Sequence, residues 1–210
     1  SVSDGKVWVD YLAEDLGVTS MLNMAYGGAT SEWDNPAAES IALGLQWQID
    51  YYKNSAGLQY LFGINDALVT ISAGGNDMFN GRTATDAAVN VAAAITTLIG
   101  LGGKNFLVEN LIITPDTFEW ATTFDNALAT QLSIVNAANA GVDIYILDWN
   151  KVDLTGLAAN NIMMSDGIHP TTDHQRRIAD IAWTAVPEPA SVILLILGFA
   201  GLAGARRRMK

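Results

Sequence analysis

The chain has 210 residues, half of them apolar and 16% charged, which is enough apolar surface for one full-sized folded domain and excludes a disordered polymer. Its 22 acids outweigh 11 bases for a formal charge of -11, which argues against a nucleic-acid partner, since that would require a clustered cationic face. No cysteine is present, so disulfides and thiolate metal sites are excluded.

In chain order, residues 1–10 read SVSDGKVWVD, with no basic start, apolar stretch or small-residue cleavage site of the kind an export signal has. They are expected to follow a longer upstream sequence. A first helix is predicted over 7–16 and a first strand over 20–25, then a helix over 37–53 opened by Asn35 and Pro36. Strands follow over 67–73, 105–113 and 143–149, each short and nearly continuously apolar, as strands covered on both faces are. Helices are predicted between and after them over 85–99, 118–140 and 172–185, with threonine start signals near 83–85 and 171–172. This alternation predicts an α/β fold, a three-layer sandwich in which helices cover both faces of a parallel sheet. Trp33, Trp47, Trp120, Trp149 and Trp183 read as packing residues.

In such folds ligands bind at the carboxyl ends of the strands, so the loops there are where chemistry is sought. They contain Tyr26-Gly27-Gly28-Ala29-Thr30, Gly74-Gly75-Asn76-Asp77 and Thr114-Pro115-Asp116, and Ser165-Asp166-Gly167-Ile168-His169-Pro170-Thr171 precedes the last helix. Asp166 and His169 stand three apart across a glycine, a spacing that lets the carboxylate orient the imidazole as a general base. The same residues also suit a capped surface loop in which the aspartate bonds backbone amides. His174, the other histidine, reads as an exposed helix residue. The quartet ending in Asn76 offers amide donors to a developing oxyanion, or else forms a glycine-rich strand-to-helix turn. Neither glycine pair has the spacing of a dinucleotide or phosphate loop. A zinc site on Asp166 and His169 lacks a third ligand, so no metal and no cofactor is expected.

Taken together, YGGAT around Gly28, AGGND around Asn76, and SDGIHPT around Asp166 and His169 resemble the second, third and fifth blocks of the SGNH, or GDSL-type, ester hydrolases, in their lipase-like branch. The opening SDGKVWVDYLAEDLGV is similar to the stretch after that family's first block, and the likeness runs over residues 3–185. The resemblance implies a flavodoxin-like SGNH sheet acting on an ester substrate, whether lipid, acetylated polysaccharide or small ester. It implies His169 as general base, Asp166 as its orienting acid, and Gly28 N–H with the Asn76 side chain as the oxyanion hole. The family's nucleophile is the serine of a Gly-Asp-Ser motif on the first, central strand. That triplet does not occur in these residues, so the chain is expected to lack both the strand and activity. An inactive surface or matrix-binding protein on the same scaffold is the alternative.

The C-terminal end is separate in character. Residues 190–205, ASVILLILGFAGLAGA, carry no charge, and as a helix they would span roughly 24 Å against a hydrocarbon core of about 30 Å. The length suits a buried helix, but Gly198, Gly201 and Gly204 and the closing RRRMK favour a membrane segment with the body outside. Pro187-Glu188-Pro189, the apolar run and the arginine cluster, in that order over 186–210, resemble the PEP-CTERM sorting signal. The resemblance implies export, anchoring in the inner membrane through 190–205, and removal of the tail by an exosortase-type processing enzyme. The domain is therefore expected to end at residue 185.

Overall fold

A computed structural model describes residues 3–38 and 42–186. Three strands, β1 (Leu68–Ile71), β2 (Asn105–Glu109) and β3 (Asp143–Leu147), form a parallel sheet in the order β1-β2-β3. Leu68 pairs with Asn105, which pairs in turn with Asp143, and the register continues to Glu109 opposite Leu147. Parallel neighbours need crossovers, and helices supply them. The helices are α1 (Trp8–Asp15), α2 (Leu45–Asn54), α3 (Ala56–Leu61), α4 (Gly75–Phe79), α5 (Ala84–Gly100), α6 (Phe118–Ala138) and α7 (Thr172–Ala185).

The central strand shows how alternation builds two cores. Phe106 and Val108 point to one face and pack with Ile49 of α2, Ala88, Val91 and Ile95 of α5, and Phe124 and Leu128 of α6. Leu107 points to the other, packing with Leu147, Trp8 and Leu12 of α1, and Ile178, Ala179 and Ala182 of α7. Helices thus cover both faces, as the sequence predicts. The alanines of α5 let α6 lie close, and Thr83 starts the helix by accepting from the Asp86 amide at 3.1 Å. Gly74 has φ +115°, and a Cβ there would sit 2.5 Å from the Phe124 ring, so only glycine lets the chain leave β1 over α6.

The predicted strand over 20–25 is not one. Leu22 and Met24 pack on the α2/α5/α6 core, while Met21, Asn23 and Ala25 are exposed, so the segment has a strand's alternation. It has no ladder partner among the described residues; the Ala25 amide bonds the Asn23 side chain instead. The predicted helix over 37–53 is broken. A short 3₁₀ turn covers Pro36–Ala38 and α2 begins only at Leu45, because Gly44 lies directly on the carbonyls of Glu32 and Asp34. Helices α3 and α4 were not anticipated. The other three strands end earlier than their apolar runs suggest. After β2 and β3 the chain is sewn loop to loop: Asn110 donates to Asp148 at 2.8 Å and accepts from the Trp149 amide at 2.9 Å. No described helix is long and apolar enough to cross a membrane, and the expected span over 190–205 lies outside the described residues.

Candidate active site

The chain enters α7 through a loop closed at its base by Thr171 N–H donating to Ile162 O (3.1 Å) and Met164 N–H donating to His169 O (2.7 Å). Gly167, at φ +68°, turns the tip. Asp166 makes both sets of contacts that its sequence position left open. Its Oδ1 accepts from the amides of Ile168 (2.9 Å) and His169 (3.0 Å), while Oδ2 meets His169 Nδ1 at 2.7 Å. The His169 amide, then its imidazole, then the Ile168 amide hold the Asp166 pKa down at about 2. An ionised carboxylate only accepts, so Nδ1 donates to it and Nε2 is the ring nitrogen left outside the pair. Both side chains are 40% exposed.

Asn76 also reaches the turn that holds Gly28, through Ala29, 47 residues before it in the chain. Gly28 has φ +85°, and a Cβ on it would lie 2.6 Å from Asn35 Oδ1, whose own amide donates to Gly27 O at 2.9 Å. Asn76, at the start of α4, donates from Nδ2 to Ala29 O at 2.9 Å. Its carboxamide therefore lies against the Gly28 turn, and its second N–H is left for another acceptor.

Behind them is a polar clamp that the sequence reading missed. Asp77 is fully buried and accepts from the amide and hydroxyl of Ser31, both at 2.8 Å. Arg82 grips Asp34 through two bonds of 2.7 and 2.8 Å and approaches Asp77 at 3.5 Å. The hydrogen bond from Arg82 lowers the Asp34 pKa. Asn90 donates to Ser31 Oγ and Gln46 to Ser31 O. One signal was available: Arg82 is the sole basic residue between Lys53 and Lys104 in an acidic chain.

Both pairs stand at the carboxyl edge of the sheet. Asn76 follows β1, and the first turn of α7 is fixed beside the end of β3 by His174, whose ring centroid lies 6.1 Å from that of Trp149. No hydrogen bond joins the two pairs among the described residues. His174 itself corrects the sequence reading: it is wholly buried, not exposed, and burial lowers its pKa. Trp33, at 54% exposure, and Trp183, at 37%, are likewise more open than packing residues. An open depression of about 630 Å³ lies beside α4, lined by Met78, Pro115, Phe118 and Trp120 among others. No cluster of three metal-ligating side chains occurs among the described residues.

An α/β sandwich with an acid–imidazole pair and an asparagine-and-glycine turn at one sheet edge is the framework of a hydrolase. The chain belongs to the GDSL-like lipase/acylhydrolase family, whose model matches residues 1–182, and residues 185–208 match the PEP-CTERM protein-sorting motif, which marks an exported protein processed at its C-terminus. Solved structures agree in fold. A lipolytic protein of the G-D-S-L family from Veillonella parvula superposes with a TM-score of 0.60 at 16% identity, over 90% of this chain and 92% of that one. A putative lipolytic protein of the same family from Desulfitobacterium hafniense gives 0.58 at 12% identity, over 86% and 88%. A carbohydrate esterase family 3 structure from Talaromyces cellulolyticus gives 0.58 at 15% identity, over 92% of each. No curated protein matches significantly in sequence.

Proposed function

We propose that this domain, residues 1–185, is the acyl-transferring body of an exported serine ester hydrolase. The observation that carries the reading is the 2.7 Å contact of Asp166 Oδ2 with His169 Nδ1, which leaves Nε2 as a base. In the proposed mechanism Nε2 takes the proton from a serine hydroxyl as its oxygen attacks the ester carbonyl. The carbonyl oxygen becomes an oxyanion, held by Gly28 N–H and the free N–H of Asn76. The imidazolium, balanced by Asp166, then protonates the departing alcohol, and water repeats the cycle on the acyl-enzyme.

The serine belongs to the family's Gly-Asp-Ser motif, a triplet absent from these 210 residues, so the chain as given is proposed to be inactive. Residues 186–210 serve for sorting, with 190–205 as a transient membrane anchor and an exosortase-type enzyme as partner. The esterase title of one structural neighbour supports carbohydrate-borne esters as one substrate class to test.

The test is hydrolysis of a short-chain p-nitrophenyl ester by this chain and by a form extended through its upstream reading frame. Turnover by the extended form, abolished by His169→Ala, is expected. Equal turnover by an Asp166→Ala form would end the assignment.

A further inference from the structure

Helix α7 carries a second histidine that the proposed chemistry does not use. His174 is fully buried, and its Nδ1 lies 3.0 Å from the Ile162 carbonyl. A carbonyl only accepts, so Nδ1 carries the proton and Nε2 faces inward as an acceptor. Ile162 is also the residue whose carbonyl receives the Thr171 amide, so both bonds close the base of the loop that displays Asp166 and His169.

The Trp149 ring adjoins the imidazole, and the Glu109 carboxyl lies near that indole in turn. His174 Nε2, Trp149 Nε1 and Glu109 Oε1 are all buried without a hydrogen-bond partner. Glu109 ends β2 on the α1/α7 face, with its carboxyl group among Ser72, Trp149 and Trp8. The Trp149 indole N–H approaches that carboxyl without completing a bond, and the same ring adjoins His174. The remaining charges nearby are engaged elsewhere: Asp148 with Lys151, and Asp173 with Asn161. Burial lowers the His174 pKa and so favours the neutral imidazole, the state that holds one proton, here on Nδ1.

We propose that His174 is a positioning residue for the Asp166–His169 pair: its Nδ1–H fixes the Ile162 carbonyl at the base of loop 161–171 and holds the imidazole in the tautomer that donates there. Calling the pair catalytic rests on the function proposed above; the geometry does not.

The experiment uses the 210-residue chain and needs no turnover. His174→Leu fills the volume without a donor, while His174→Asn puts an amide N–H where Nδ1 stands. NMR follows the downfield Nδ1–H of His169 and the exchange of the Met164, Gly167 and Thr171 amides, with Phe106 and Val108 of β2 as internal references. In the leucine variant the His169 signal is expected to vanish and the loop amides to exchange about tenfold faster, with β2 unchanged. The asparagine variant is expected to retain both features. A leucine variant that keeps both overturns the proposal, and so does an asparagine variant that loses both. If leucine also strips protection from β2, the asparagine result alone decides. Failure of every form of the protein to hydrolyse esters would remove the enzymatic reading and leave these spectra untouched.

Discussion

Asp77 accepts both the amide and the hydroxyl of Ser31 at 2.8 Å, with no solvent access to the carboxylate. Asp77 directly follows Asn76, and Ser31 lies three residues after Gly28, so this one contact ties together the two turns that would hold an oxyanion. The clamp draws on α2 through Gln46 and on α5 through Asn90, and is closed by Arg82.

Removing Asp77 leaves the buried amide and hydroxyl of Ser31 without their acceptor, which is the costly case, while Arg82 keeps its bonds to Asp34. Asp77→Ala is therefore expected to destabilise the fold by roughly 2–5 kcal/mol. Ser31→Ala, which removes only the hydroxyl, should cost roughly 1–2 kcal/mol. Urea unfolding monitored by tryptophan fluorescence gives both values. A cost below half a unit for Asp77→Ala, on that scale, would mean that the clamp contributes nothing.

Two glycines with positive φ separate backbone strain from crowding. Gly17, at φ +64°, has nothing within 4 Å of an added Cβ, whereas at Gly28 the Cβ would lie 2.5 Å from that of Ala37. Gly17→Ala should cost about 1 kcal/mol through φ alone. Gly28→Ala should cost about 2 kcal/mol more, as overpacking does, and should shift the amide resonances of Asn35 and Asn76. Equal costs at the two sites would show that the Gly28 turn can relax.

Stability should fall with rising pH because of Glu109. Burial raises its pKa from 4.5 to about 7, so between those values the folded chain holds a proton that the unfolded chain has lost. Its contribution is whole below pH 4.5, declines through the window and is gone above 7, a change on the order of 3 kcal/mol. His174 acts in the opposite sense, since its depressed pKa favours the fold as pH rises through 6.5. The difference between wild type and Glu109→Gln across pH 4.5–8 isolates the glutamate. A flat difference would place the carboxyl in contact with water.

What was legible from the sequence was local. Asp166, Gly167 and His169 meet within a single turn, so their spacing already dictates the contact. Helix α7 begins and ends where its threonine cap and apolar period place it. What was not legible depends on partners remote in the chain. Residues 20–25 have strand chemistry, but a strand exists only beside a ladder partner. The break at Gly44 is made by carbonyls ten and twelve residues earlier, which no helical propensity records. His174 sits on the polar stretch of α7, and it is interior beside Trp149 and Ile162, both remote from it in the chain. The Arg82 clamp joins residues 48 apart, leaving as its trace a lone cation among acids.

The pair at the mouth of α7 yields the kinetic prediction. In an extended, active form, Asp166→Asn keeps the side-chain shape but replaces the acceptor Oδ2 with either a neutral oxygen or an amide, freeing the tautomer of His169. The expected fall in kcat is roughly 10⁴-fold with KM nearly unchanged, since the aspartate acts on the base and not on substrate binding. His169→Ala should fall at least as far, and the double variant no further, because residues acting as one unit are not additive. Asn76→Ala should lose about 10²–10³-fold by removing an oxyanion donor, independently of the tautomer. An Asp166→Asn form whose kcat is undiminished would show that the carboxylate does not act on the base.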